Sequence, residues 1–316
     1  MVREGQRTQR NEARLRPKVS KRLLAAVKGI RGEVKFFEPL SSLTSFGIGG
    51  PADAVVFPED VEDLCQLARQ AAAAKVPLSV FGGTNILIRD RGIRGIVVHL
   101  KRLTAIRDEP QDLVFAEAGV RMPILLQHAI SRSLSGLEWA AGIPGTVGGG
   151  VMMNAGTRLG EMKDVLQAIE LVDNRGRRKI HQAADLRFGY RQARIPKGVI
   201  VGAWFQLTHS TRKKIEALTK TYLRYRKNTQ PLTHPNAGSI FKNPPGSSAG
   251  RLIEEAGLKG AKIGDAQISL KHANFIVNTG RARATDVIQL IQKIRRAVAQ
   301  KTGTTLQLEL RIVGER

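Results

Sequence analysis

The stretch GIGGPADAVVFP, residues 47–58, decides which fold this chain can adopt. Its first six residues satisfy G-x-G-x-x-A, the pattern that sets a pyrophosphate against a helix N-terminus in doubly wound α/β proteins. The pattern carries that meaning only where a strand runs in and a helix runs out. Here Pro51 intervenes, and the apolar, β-branched run 53–58 that follows reads as a strand. The order is wrong for a dinucleotide fold of that kind, so these glycines serve another purpose.

Outward from this point, short strand-like runs alternate with helical ones. Residues 59–76 have Val61, Leu64, Leu67 and Ala68 at helical spacing, acids in the first turn, and Pro77 as a stop. Residues 78–81 and 95–100 read as strands, giving a βαβ-like unit over about residues 34–100. A second region has strands at 113–119, 166–173 and 198–207, a helix at 122–134, and a hairpin turn in DNRG at 173–176. From Ser210 onward the reading is a helix at 212–228, a short helix near 249–257 and a strand at 273–278. A helix at 285–303 follows, with Thr285 as N-cap and Gly303 past its end. The chain then runs into a strand at 304–314. Many strands and few helices predict an α+β layer rather than a doubly wound sheet.

At 316 residues the chain accommodates two or three domains, with aromatics at 5% leaving the cores to Leu, Ile, Val and Ala. The single cysteine, Cys65, excludes an internal disulfide, fits a reducing compartment and reads as a small apolar helix residue. No apolar run approaches a membrane span, and the start lacks the apolar core of a secretory signal. The six histidines show no metal-ligand spacing, so no metal is expected. The net charge of +24 invites a nucleic-acid reading. Residues 1–35 hold 11 basic and 3 acidic side chains, and the remaining excess is spread over the chain without RGG tracts or an aromatic platform. That distribution argues against nucleic acid and suits an enzyme with phosphorylated, anionic ligands.

Two glycine loops carry more chemistry. FGGTNILI (81–88) follows a short strand and can present backbone N–H groups to a phosphate, with Thr84 and Asn85 as further donors. AAGIPGTVGGGVMMNAG (140–156) has six glycines and almost no charge, too apolar for solvated linker and open to a large planar or diphosphate ligand. Each loop alone is equally well read as backbone packing on backbone; the pair favours a dinucleotide cofactor.

With TSFGIGGPAD, GLEWAAGIPGTVGGGVMMNAG, FGYR, AGSIFKNP and LELRIVGE in this order, the chain resembles the UDP-N-acetylenolpyruvoylglucosamine reductase family over residues 36–315. The resemblance implies a cytoplasmic flavoenzyme of peptidoglycan precursor synthesis. NADPH would reduce bound FAD, which then reduces UDP-N-acetylglucosamine enolpyruvate. It also implies an α+β, vanillyl-alcohol-oxidase-type FAD-binding fold in two subdomains, 31–100 (joined by the C-terminal strand) and 101–209. A substrate-binding domain would occupy 210–316. The resemblance leaves residues 1–30 unexplained; their polar, basic composition reads as a flexible arm, with one helical turn pattern in SKRLLAAVKG at 20–29. The short spacing from Arg191 to Ser239 resembles the family type without the extra tyrosine-bearing loop. Two departures are Thr84, where serine is usual, and Gly150, where alanine is usual.

On this resemblance FAD would be held by Gly82, Gly83, Thr84, Asn85, Ile86 and Leu87 from the first loop. The second would give Ile143, Pro144, Gly145, Thr146 and Gly149, then Asn154, Ala155 and Gly156. Ser239 matches the family's proton donor, Arg191 the arginine on the enolpyruvyl carboxylate, and Glu309 a carboxylate that steadies the intermediate. Tyr190, Lys227, Asn243 and His272 would contact substrate, and the helix that Lys227 ends bears Arg224 and Arg226, a basic cluster suited to a UDP diphosphate. Read without the resemblance, Ser239 is a turn residue, Arg191 a surface arginine and Lys227 a helix-end cation. Glu309 has a further local signal. In TLQLELRI, Leu306, Leu308, Leu310 and Ile312 share one strand face, which puts Gln307, Glu309 and Arg311 on the other.

Overall fold

The strand expected after Pro51 forms at Ala52–Phe57 and is central to a four-stranded sheet. It pairs antiparallel with Glu33–Phe36 and parallel with Ile93–Val98, and the latter pairs parallel with Leu78–Val80. The crossover helix Val61–Ala73 is capped by Asp60, whose carboxylate accepts from the Asp63 N–H at 2.8 Å. Its inner face buries Leu64 and Leu67 completely, with the Cys65 thiol beside them, pushed up in pKa by burial. The rejected glycine pattern serves close packing: a Cβ on Gly50 would lie 2.1 Å from the Asp90 carbonyl oxygen. Only a residue without a side chain lets those two backbones meet.

The computed structural model describes residues 18–316. Of the segment read as a flexible arm, residues 1–17 lie outside the described residues. In the remainder, Lys21–Ala26 is a short helix, within the stretch whose pattern suggested a helical turn, and its N-cap Ser20 accepts from the Leu23 N–H at 3.2 Å. Leu23 and Ala26, one turn apart, are buried against the crossover helix. Burying Leu23 contributes about 2 kcal/mol toward holding this helix against its neighbour.

The second sheet is antiparallel, in the order Arg178–Gln182, Leu166–Val172, Val199–Gln206, Leu113–Glu117, Ile106–Glu109. The helices Met122–Ser131 and Val147–Met152 bury Leu125, Val147 and Val151 with Ile169, Ala203 and Phe205 of the sheet. The 173–176 turn forms as expected, held by Asp173, whose Oδ1 accepts from the Arg175 and Arg177 N–H groups at 2.8 and 3.0 Å. The two edge strands went unread because neither has a buried residue to set up an apolar alternation.

The third sheet orders Asn236–Ser239, Phe275–Asn278, Ala266–Ile268 and Lys262–Ile263, all antiparallel. The helices Ala249–Glu255 and Ala284–Thr302 cover it around Phe241, Ile253, Ile276 and Leu290. Gly303 ends the long helix in the left-handed conformation, φ 69°, as expected. Its start differs from the expected Thr285 cap. Asp90, 194 residues earlier, accepts from the Ala284 N–H at 2.9 Å. Its other oxygen accepts from the Thr285 N–H at 3.1 Å and the Thr285 hydroxyl at 2.6 Å. Among the described residues no helix is long and apolar enough to cross a membrane.

Asp90 thus ties the loop after Ile86–Ile88 to the C-terminal helix. Burial opposes its charge, but the Thr285 hydroxyl and two N–H groups prevail and hold its carboxyl below the usual range. Its contribution is therefore present above the unfolded carboxylate pKa and lost as pH falls through the lower folded one. Asp90→Ala is expected to cost about 1–2 kcal/mol at neutral pH, read from urea unfolding. The gap from wild type should narrow in acid; equal midpoints at neutral pH would show that the cap contributes nothing.

Candidate active site

The first glycine loop lies beside the first and second sheets, where Gly82, Gly83, Thr84, Asn85 and Ile86 line a cleft of about 860 Å³. Thr146, Gly148 and Gly149 approach from the second loop, and a Cβ on Gly82 would stand 3.7 Å from the Gly149 Cα. Loop backbone and two threonine hydroxyls therefore face the space, with Leu100, Met152 and Ile200 along its apolar parts. His99 also lines it, with Nδ1 buried and without a hydrogen-bond partner among the described residues. Burial, aided by Lys101, lowers the His99 pKa and favours the neutral ring. Amides, hydroxyls, an unpartnered imidazole and apolar walls fit a ligand with a pyrophosphate and flat aromatic parts, as FAD has.

A second cleft, of about 780 Å³, opens from the first and shares Thr84, Asn85, Gly149 and Met153 with it. Ile143, Pro144, Gly145, Ala155 and Gly156 line it. Two expected cofactor residues face neither cleft. Leu87 is fully buried in the C-terminal core. Asn154 is fully buried too, donating to Glu161 Oε2 at 2.9 Å and to the Gly189 carbonyl at 3.2 Å, and accepting from the Lys163 N–H at 3.0 Å. Asn154 instead fixes the hairpin that bears Arg191. The departure at Gly150 is matched locally, since a Cβ there would lie 2.6 Å from the Met162 terminal methyl.

Arg191, Ser239 and Glu309 converge on this second cleft. Arg191 sits at the turn joining Arg187–Gly189 to Gln192–Arg194, with φ 57°. A left-handed arginine costs on the order of 1 kcal/mol, which the hairpin and Asn154 hold in place. Its Nε lies 3.1 Å from Glu309 Oε1, and both side chains are largely buried. Burial pushes the Glu309 carboxyl up, while Arg191 and Lys242 draw it back.

Ser239 is on a strand, not in a turn. Asn236 pairs with Val277 and Ser239 with Phe275, with a register irregularity between them at which Gly238 takes φ 76°. A Cβ on Gly238 would meet nothing within 4 Å, so the glycine is there for its backbone angle. The bulge re-aims the serine into the cleft, as bulges beside sites do. Glu309 comes to the same place because its N–H donates to the Ile240 carbonyl at 2.9 Å, directly after Ser239. Asn85 Nδ2 donates to the Glu309 carbonyl at 3.1 Å, and Arg311–Val313 pairs parallel with Ile86–Ile88. The strand expected at 304–314 forms only over Arg311–Val313; before it Leu306 and Leu310 are buried, but Leu308 and Glu309 are both half-buried, because the Glu309 and Leu310 N–H groups both donate to the Ile240 carbonyl and interrupt the alternation.

The four expected substrate residues are not among those lining this cleft. Tyr190 is exposed beside it, with the Arg191 guanidinium 5.2 Å from its ring centre. Lys227 is exposed on the outer side of Arg212–Thr229. Asn243 Oδ1 accepts from the Ala249 N–H at 3.0 Å, and His272 Nδ1 accepts from the Asn274 N–H at 3.2 Å. Both side chains thus brace their own loops. Two further residues line the cleft: Arg226, read in the sequence only as one member of a basic cluster, and Gln230, which sequence reading missed. The signal existed. Ile215, Thr219, Tyr222 and Arg226 follow helical spacing along the inward face of their helix, one residue away from Lys227.

Residues 52–180 match the family described as FAD binding domain, and residues 230–313 match UDP-N-acetylenolpyruvoylglucosamine reductase, C-terminal domain. A reductase of that name from Syntrophus aciditrophicus is 46% identical over 292 residues, covering 90% of this chain and 94% of that protein. One from Heliobacterium modesticaldum is 41% identical, covering 91% and 93%. The crystal structure of the Thermus caldophilus reductase is similar with a TM-score of 0.77 at 39% identity, covering 90% of this chain and 99% of that one.

Proposed function

Because the chain belongs to the UDP-N-acetylenolpyruvoylglucosamine reductase family, we infer that it reduces UDP-N-acetylglucosamine enolpyruvate to UDP-N-acetylmuramate for peptidoglycan synthesis, with FAD bound and NADPH as reductant. The observation that carries this reading is the convergence of Arg191, Ser239 and Glu309 on a cleft continuous with the glycine-lined one. Residues 31–100 and 101–209 hold the cofactor between them, and residues 210–316 bring substrate to it. The work is done in the cytoplasm, where NADPH and nucleotide sugars are found.

FAD, held against Gly82, Gly83, Thr84, Thr146 and Gly149, would supply the hydride chemistry between NADPH and C3 of the enolpyruvyl group. The chain's task is the electron pair then left at C2 and spread into the neighbouring carboxylate. Arg191, braced by Glu309, meets that growing charge with a planar, fixed guanidinium. Ser239 gives its hydroxyl proton to C2, forming the new C–H bond, and its oxygen is reprotonated from solvent. A serine hydroxyl is a weak acid in water, but a carbanion is a stronger base than the alkoxide left behind. Glu309 keeps Arg191 oriented, which requires it to be ionised.

The test is direct. The purified protein should show the visible absorbance of bound flavin and oxidise NADPH in step with added UDP-N-acetylglucosamine enolpyruvate. A colourless protein that binds DNA, or NADPH oxidation indifferent to that substrate, would sink the reading.

A further inference from the structure

Glu309 is the only carboxylate among the described residues that line the second cleft, and Arg191 is its ion-pair partner. A second cation stands behind the pair. Lys242, three residues after Ser239, is half-buried and lines neither cleft. Its backbone N–H donates to the Gln307 carbonyl at 2.9 Å, next to the bridge between Phe241 and Leu308. That bridge is antiparallel, so Lys242 on one segment and Glu309 on the other flank it diagonally, within reach of a long side chain. The Lys242 ammonium donates in a long bond, 3.4 Å, to the Tyr190 carbonyl. This peptide unit leads directly into Arg191, whose left-handed φ of 57° places the guanidinium.

One side chain thus acts on both members of the pair without lining the space that substrate would fill. The charged groups around Glu309 are Arg191 from the hairpin, Lys242 from the segment after Ser239, and Arg226, which lines the same cleft from Arg212–Thr229. Burial pushes the Glu309 carboxyl up, and Arg191 first, then Lys242, draw it back. Arg191 does so only while its turn holds it, and Lys242 bonds the carbonyl that enters the turn. Lysine suits both tasks, because a point charge on a long stem acts on a carboxylate without needing a fixed fork.

We propose that Lys242 is a positioning residue for the Arg191–Glu309 pair: it ties down the turn that presents Arg191 and sets a second positive charge behind Glu309. The inference rests on the function proposed above.

The experiment is a pH profile of kcat/KM for the enolpyruvyl ether, with flavin-loaded wild type, Lys242→Met, Lys242→Gln and Lys242→Arg. In wild type kcat/KM falls as pH drops and Glu309 takes up a proton. Lys242 favours the ionised carboxylate, so Lys242→Met should move that fall to higher pH by roughly half a pH unit or more. On the plateau above it, Lys242→Met should be about fivefold slower, the scale of one hydrogen bond. Lys242→Gln keeps an amide for the Tyr190 carbonyl but no charge, so it should recover part of the plateau and keep the displaced fall. Lys242→Arg keeps the charge and should return the fall to its wild-type place. A merely structural lysine would instead lower kcat/KM by the same factor at every pH. The proposal is overturned if the fall does not move in the two neutral variants, or if Lys242→Arg does not restore it. It is overturned equally if Lys242→Met matches wild type on the plateau, or if the neutral variants lose their flavin or their cooperative melting. Wild-type protein that does not turn over the ether overturns the proposed function itself, and this inference with it.

Discussion

Ser239→Ala is expected to leave the bound flavin fully reducible by NADPH while slowing turnover of the enolpyruvyl substrate about 1,000-fold. The split follows from position. Ser239 lines the second cleft but not the first, so its loss leaves the Thr84 and Thr146 hydroxyls and the loop backbones untouched. Its strand pairing uses backbone atoms, so alanine keeps the sheet, and Gly238 keeps the bulge. Stopped-flow measurement of each half-reaction separates the two effects. Solvent deuterium should slow the second half-reaction in wild type, because the proton moves there. A mutant with normal turnover would falsify the proton-donor role, and one that has lost flavin would return Ser239 to a structural part.

Arg191→Met is expected to lower kcat/KM by about 1,000-fold, the scale of losing a charged group aimed at developing negative charge. Arg191→Lys should recover little, because an ammonium cannot reproduce the fork that faces both Glu309 and a carboxylate. The same variant has a signature in the absence of substrate. Burial already raises the Glu309 carboxyl, and Arg191 is the foremost group drawing it back. Removing Arg191 therefore raises it further. A carboxyl raised in the folded state adds stability below its unfolded pKa and loses that contribution as pH rises through the folded one. Arg191→Met should accordingly lose more melting temperature than wild type between mildly acidic and neutral pH. Parallel melting curves would show that the two groups are not coupled. In wild type, where the ionised carboxylate orients Arg191, kcat/KM should fall as pH drops through a value above the usual glutamate range.

How much of this could be read from the chain depended on the distance over which each feature is encoded. The helices 61–73, 212–229 and 284–302 and the strand 52–57 announce themselves through local periodicity. The cap that Asp90 gives to the last helix and the pairing of Ile86–Ile88 with Arg311–Val313 are contacts between residues far apart in sequence. No window along the chain contains both partners. Ser239, Arg191 and Glu309 were nominated by the order of motifs, yet their geometry rests on a bulge, a left-handed hairpin residue and a backbone pairing. Arg226 was legible only as one cation of a cluster; its place on the inward stripe with Ile215 and Tyr222 is what sets it apart from Arg224 and Lys227.

The segment 306–313 lies between two neighbours, hydrogen-bonding to residues 240–242 on one side and pairing with Ile86–Ile88 on the other. During synthesis, a chain that has not reached residue 306 already contains both glycine loops, Arg191 and Ser239. It lacks Glu309 and the strand that steadies Asn85. The site is thus complete only when the segment 306–313 is seated: without it Ser239 and Arg191 still share a chain, but the carboxylate beside the arginine is missing.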